Sequence, residues 1–150
     1  MRKKFFSELE TKNWDNKTII VDVDGTLTMD GSSQIDEVVK VKIKELTIRN
    51  HVFLFSNRKS LKRNQNLENL LQIKFIESAH KKPNKKVLDK LGENLKTNIV
   101  VIGDKTITDG FFAKNIGAEF VKVEHLRGGS DSLMTSITYL FDDILANFIQ

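Results

Sequence analysis

Five short apolar runs, at residues 17–23, 51–55, 73–76, 98–102 and 119–123, alternate with segments of helical spacing, and this alternation constrains the chain more than any other feature. The first run, Lys-Thr-Ile-Ile-Val-Asp-Val, is β-branched and reads as a buried strand. Between the runs, Val39, Ile43 and Leu46 share one face of a predicted helix over 35–49, and Leu67, Leu70 and Leu71 close another over 60–71. Val87, Leu88 and Leu91 predict a helix over 84–92 that stops at Gly92, and a further helix is expected over 109–116. Strands that alternate with helices are expected to form a parallel sheet covered on both faces, a three-layer α/β sandwich. Right-handed crossovers then bring the C-terminal ends of all five strands to one edge, with the first strand central, and ligands sit in the crevice at that edge.

The chain has 150 residues, enough for one domain spanning 1–150, and it shows no internal repeat or linker. It has no cysteine, which excludes disulfides and thiolate metal sites. The apolar runs are far shorter than the ~20 residues of a membrane span. Residues 1–6, Met-Arg-Lys-Lys-Phe-Phe, begin like a signal peptide, but the polar Ser7–Glu10 that follows breaks the pattern. A net charge of +4 favours anionic partners, although solvated lysines from a compositional bias explain it as well.

Chemistry-bearing residues follow the strands in order. The first strand runs into Asp22-Val23-Asp24-Gly25-Thr26, where two carboxylates at i and i+2 point the same way and repel unless a cation intervenes. Oxygen ligands of this kind suit Mg2+, and a polar turn would account for the segment as well. The second strand ends in Phe55-Ser56-Asn57-Arg58, a hydroxyl and free amides ahead of a helix, which suits an anion or simply a helix cap. A basic loop, His80-Lys81-Lys82-Pro83, precedes the next helix. The run at 98–102 leads into Gly103-Asp104-Lys105-Thr106-Ile107-Thr108-Asp109-Gly110, whose two aspartates can reach one cation or cap the following helix.

The order of these four segments resembles the haloacid dehalogenase superfamily, from about residue 17 to residue 123, with DVDGT and GDKTITDG the most specific parts. That resemblance implies a Rossmann-like fold and a Mg2+-dependent phosphomonoesterase. It implies Asp22 as the nucleophile that forms an aspartyl-phosphate, and Asp24 as the acid and then the base. Ser56 and Asn57 would hold phosphoryl oxygens, and Lys82 would steady the charge. The metal would be held by Asp22, Asp104, Asp109 and the backbone carbonyl of Asp24. The gaps from Asp24 to Ser56 and from Ser56 to Lys82 are too short for a cap domain, as in the capless subfamily IIIA.

Within the superfamily, Lys82-Pro83 and the fourth segment look like the phosphatidylglycerophosphate phosphatase group, the YqeG-like proteins, which implies a phospholipid substrate. Gly25 departs from that group's usual Asn and is commoner in soluble sugar-phosphate and phosphoglycolate phosphatases, so sugar, phosphoglycolate and nucleotide phosphates stand as alternatives. A nucleic-acid 3′-phosphatase is disfavoured by the lack of an aromatic-basic platform. A non-catalytic binding protein is disfavoured by the presence of both Asp22 and Asp104. The expected location is cytoplasmic, peripheral at most to the inner membrane face, with any lipid contact through residues 1–6. The amphipathic stretch 131–149, with Ile137, Leu140, Phe141, Ile144, Leu145 and Phe148, is expected to pack against the flank of the sheet. The sequence does not specify an oligomeric state.

Overall fold

The computed structural model describes residues 4–92, 95, 98–128 and 133–149, the last of these without the side chains of 133–136, 148 and 149. Four parallel strands form one sheet in the order β2-β1-β3-β4: β1 is Thr18–Asp22, β2 His51–Phe55, β3 Ile99–Gly103 and β4 Glu119–Lys122. The helices are α1, Glu37–Arg49, α2, Leu61–Leu71, α3, Phe111–Ile116, and α4, Leu133–Ile149. β1 is central, as expected, and successive connections leave it in opposite directions, so a crevice opens between the C-terminal ends of β1 and β3.

The expected fifth strand at 73–76 is corrected. It meets the sheet only through a single bridge, Leu54 to Phe75, made by Leu54 N to Lys74 O at 2.9 Å and Ile76 N to Leu54 O at 2.8 Å. Its flanks leave the ladder at once. Gln72 before it is left-handed, at φ 57°, and the residues after Ile76 depart toward the Lys82 loop. The predicted helix over 84–92 is likewise shortened to a 3-10 turn, Lys85–Leu88, opened by the Asn84 side chain accepting from Lys86 N at 2.9 Å.

Strand alternation builds the layers. Ile19, Val21 and Val23, with Val100 and Ile102, pack against Val39, Ile43 and Leu46 of α1 and Leu67 and Leu71 of α2. Ile20 and Val101 point the other way, toward Phe112 and Ala113 of α3 and Val87 of the 3-10 turn. This period of two, with both faces apolar, is the reason β1 is buried along its whole length.

The expectation for the C-terminal stretch is reversed for the side chains described. Ile137, Leu140, Phe141 and Ile144 are exposed and Leu145 is half-buried, while Tyr139 and Asp142 face the domain. Residues 131 and 132, the Phe148 side chain, and residues 1–3 of the expected lipid contact lie outside the described set. Asp142 explains the orientation of α4. Its carboxylate accepts from Thr106 N and Ile107 N, both at 2.8 Å, and pairs with Lys122 Nζ at 2.5 Å. It thereby caps the π-helical turn Thr106–Gly110 that follows β3. Asp142→Ala leaves a buried amide, a partly buried one and a lysine without that partner. Urea unfolding is expected to show a loss of about 2–4 kcal/mol. A loss below about 0.5 kcal/mol, the level of ordinary surface substitutions, would contradict this role for Asp142.

Candidate active site

The C-terminal edge of the sheet gathers Asp22, Lys82, Asp104 and Asp109, all buried. β1 delivers Asp22 as its last residue, and β3 delivers Asp104 one residue past its end. The π-helical turn folds Asp109 back over the strand, and Gly103 makes this possible: a Cβ there would lie 2.3 Å from Asp109 Cγ. Gly25 has the same function on the other side. Its φ is +80°, and a Cβ would fall 2.5 Å from Asp104 Oδ2 and 2.3 Å from His125 Nδ1.

One ligand oxygen from each of Asp22, Asp104 and Asp109 can lie within 4.8 Å of the others. Lys82 Nζ donates to Asp22 Oδ1 at 2.6 Å and to Asp109 Oδ1. Its loop is tied to the segment after β2 by Asn57, which accepts from Lys82 N at 2.8 Å and donates to Lys82 O at 3.0 Å. The Lys82–Pro83 peptide is cis. Burial together with the Asp109 and Asp104 charges pushes the Asp22 carboxyl well above its usual range, against the pull of Lys82. Asp109 is raised chiefly by burial, again against Lys82. Burial alone would depress Lys82, but Asp109 and Asp22 outweigh it and hold the ammonium charged.

Asp104 differs from its neighbours. Burial opposes its charge, yet His125 Nδ1 at 2.8 Å and the Tyr139 hydroxyl at 2.7 Å, both on Oδ2, hold its carboxyl below the usual range. A carboxylate only accepts, so Nδ1 is the protonated nitrogen in that contact. Burial and Asp104 push the Tyr139 phenol far upward, which keeps it a donor. Thr26 Oγ1 lies between the two strands, 3.4 Å from Asp22 Oδ2 and 3.5 Å from Asp104 Oδ1.

Asp24 stands at the rim and its carboxylate is outside the acidic cluster. It accepts from Ser56 Oγ at 2.6 Å, Gly31 N at 2.7 Å, and Arg63 through two bonds of 2.9 and 3.2 Å. These contacts outweigh its burial and hold its carboxyl below the usual range. Ser56 does not cap α2. Its hydroxyl bridges Asp24 and Arg58 N, the latter at 3.0 Å. A hollow of about 160 Å3 is lined by Asp22, Asp24, Asn57, Arg58, Lys82 and Lys105, among others. Its lining sets the carboxylates of Asp22, Asp24 and Asp30 beside the cations of Arg58, Lys82 and Lys105, and cations next to a carboxylate can position a phosphoryl group. A larger hollow of about 380 Å3 between α3, β4 and α4 contains none of these groups.

Of the seven residues singled out from the sequence, Asp22, Lys82, Asp104 and Asp109 converge directly, and Ser56, Asn57 and Asp24 form the wall beside them. Thr26, Arg58, Arg63, His125 and Tyr139 were not anticipated. Thr26 was within the first motif and Arg58 followed Ser56 directly. Arg63, His125 and Tyr139 carry no local signal.

Three buried carboxylates against one ammonium leave an excess of negative charge, and oxygen donors at this spacing fit a hard divalent cation. No curated protein matches the chain. The family described as mitochondrial PGP phosphatase matches residues 4–126, which contain every motif residue above. That description overturns the expected cytoplasmic location and points to mitochondria. Among the described residues, no helix is long and apolar enough to cross a membrane. With the match spanning most of the sequence, the chain is a phosphatase and belongs to the mitochondrial PGP phosphatase family.

Proposed function

We propose that the chain is a single, capless domain of the haloacid dehalogenase type that hydrolyses the terminal phosphomonoester of phosphatidylglycerophosphate through an Asp22 phosphoenzyme. The observation that carries this reading is Asp22 itself, a buried carboxylate that lines the hollow, paired with Lys82 and close to Asp104 and Asp109. The family description supports the substrate. The segments between Asp24 and Ser56, and between Ser56 and Lys82, hold only α1, β2, α2 and their connections, which supports the capless reading.

An Asp22 carboxylate oxygen attacks phosphorus in line, the bond from phosphorus to the lipid glycerol oxygen breaks, and that oxygen takes up a proton. Water then attacks the same phosphorus, the bond to Asp22 breaks, and phosphate leaves. Asp24 serves as proton donor and then acceptor, and the contacts that hold it ionised favour the second role. Ser56 and the amides near Asn57 hold phosphoryl oxygens. Lys82 neutralises Asp22 as the dianion approaches, which lowers the repulsion between them. Asp22, Asp104, Asp109 and the Asp24 carbonyl would hold Mg2+, which supplies charge neutralisation of the transferring phosphoryl group.

The test is removal of the metal. Excess chelator is expected to abolish phosphate release, and added Mg2+ to restore it. In Asp104→Ala the Mg2+ needed rises by at least about tenfold, or activity is lost. Mg2+ should also raise the unfolding temperature of the wild-type chain, because it binds the folded site alone. Full activity in chelator, together with a melting temperature indifferent to Mg2+, would refute the metal assignment.

A further inference from the structure

Beside the catalytic hollow lies a second one of about 480 Å3, at the start of α2. Its walls carry Arg58, Lys59, Lys62 and Arg63 and no carboxylate. Arg63 is engaged by Asp24 at 2.9 Å, while Lys59, among the described residues, donates to a neutral acceptor, Ala79 O, at 2.9 Å. Arg58 lines both hollows and is half exposed, with Nε 3.4 Å from Asp24 Oδ1. Asp24 offsets the charge of Arg63 and Arg58, so Lys59 and Lys62 supply the positive field of this open hollow, and a bound anion would be drawn to it. Because Arg58 lines both this hollow and the one that Asp22 lines, the two adjoin, and an anion here can belong to the same molecule as the phosphoryl group that is cleaved.

We propose that this hollow is a second phosphate subsite, so that the preferred substrate carries another phosphate a short linker away from the phosphomonoester. The proposal rests on the phosphatase reading of the Asp22 hollow. Phosphatidylglycerophosphate has this chemistry, since its phosphodiester stands one glycerol unit from the terminal phosphate. A soluble bisphosphate of glycerol shares it. Arg58, Lys59 and Lys62 select for that second group through charge-assisted hydrogen bonds.

The test compares the full chain with Lys62→Gln and Lys59→Gln on three substrates: p-nitrophenyl phosphate, glycerol bisphosphate, and phosphatidylglycerophosphate in detergent micelles. Each variant is expected to lose about tenfold in kcat/KM on substrates with two phosphates, mostly through KM, while the aryl phosphate changes by less than about twofold. Loss confined to the micellar substrate identifies the lipid headgroup as the source of the second phosphate, and loss confined to the soluble one identifies a free bisphosphate. Equal losses on all three substrates, no loss on any, or a wild-type chain that does not prefer two phosphates over one would overturn the subsite. The reading of the Asp22 hollow fails separately, if the wild-type chain hydrolyses none of the three.

Discussion

Asp22→Asn is expected to lower turnover by about 10⁴-fold or more while leaving the unfolding free energy unchanged or raised. Asparagine keeps the shape of the side chain but lacks the anionic oxygen that must bond to phosphorus. The stability side of the prediction follows from charge. Asp22 lies among Asp109 and Asp104, and its carboxyl is already raised by burial and by those neighbours, so removing its charge relieves repulsion. Lys82 then still has Asp109. Kinetics on the purified variant, with urea unfolding of the same preparation, check both halves. Substantial Mg2+-dependent turnover by Asp22→Asn would remove it from the role of nucleophile.

Lys82→Ala is expected to have the opposite balance, with a large loss of both stability and activity. The ammonium is the counter-charge shared by Asp22 and Asp109, and its removal leaves buried carboxylates unpaired. Breaking a buried pair from one side costs about 3–5 kcal/mol. Turnover should fall by at least about a hundredfold, since the phosphoryl group then meets an unscreened acidic cluster. Adding Asp109→Asn in the same chain should recover part of the stability, because the two sites are in contact and their effects are not additive. The pH dependence has a definite sign. Both carboxyls are raised in the folded state, so the folded variant binds protons more tightly than the unfolded chain, and its stability increases as pH falls from neutral through those raised values. A loss below about 1 kcal/mol, typical of an exposed pair, would show that Lys82 is not the counter-charge.

The sequence was most legible where one local rule decided the outcome. β-branched apolar runs located all four paired strands, and the spacing of Val39, Ile43 and Leu46 located α1. Three of the four motifs were readable because a parallel sheet sends every strand end to the same edge, so Asp22 and Asp104 had to be neighbours once β1 and β3 paired, whereas Lys82 follows the run at 73–76. The run at 73–76 failed as a strand because pairing depends on what the chain does next, and it turns away after one bridge. Arg63 was invisible because its partner, Asp24, lies 39 residues away and a basic residue on α2 reads as solvated. Tyr139 and Asp142 were invisible for a related reason. They sit in an otherwise apolar helix, where periodicity assigns the hydrophobic face inward, yet hydrogen bonds to Asp104 and to the 106–110 turn decide which face docks. Both residues also lie beyond the segment that the family matches.

The most direct measurement of the central claim is acid-quenched labelling of the full chain with phosphatidylglycerophosphate carrying a radiolabelled terminal phosphate, followed by peptide mapping. The account predicts Mg2+-dependent label on the peptide that contains Asp22, sensitive to hydroxylamine as an acyl phosphate is, and absent from Asp22→Asn. Release of labelled phosphate with no covalent label on Asp22, or with label on another residue, would contradict it.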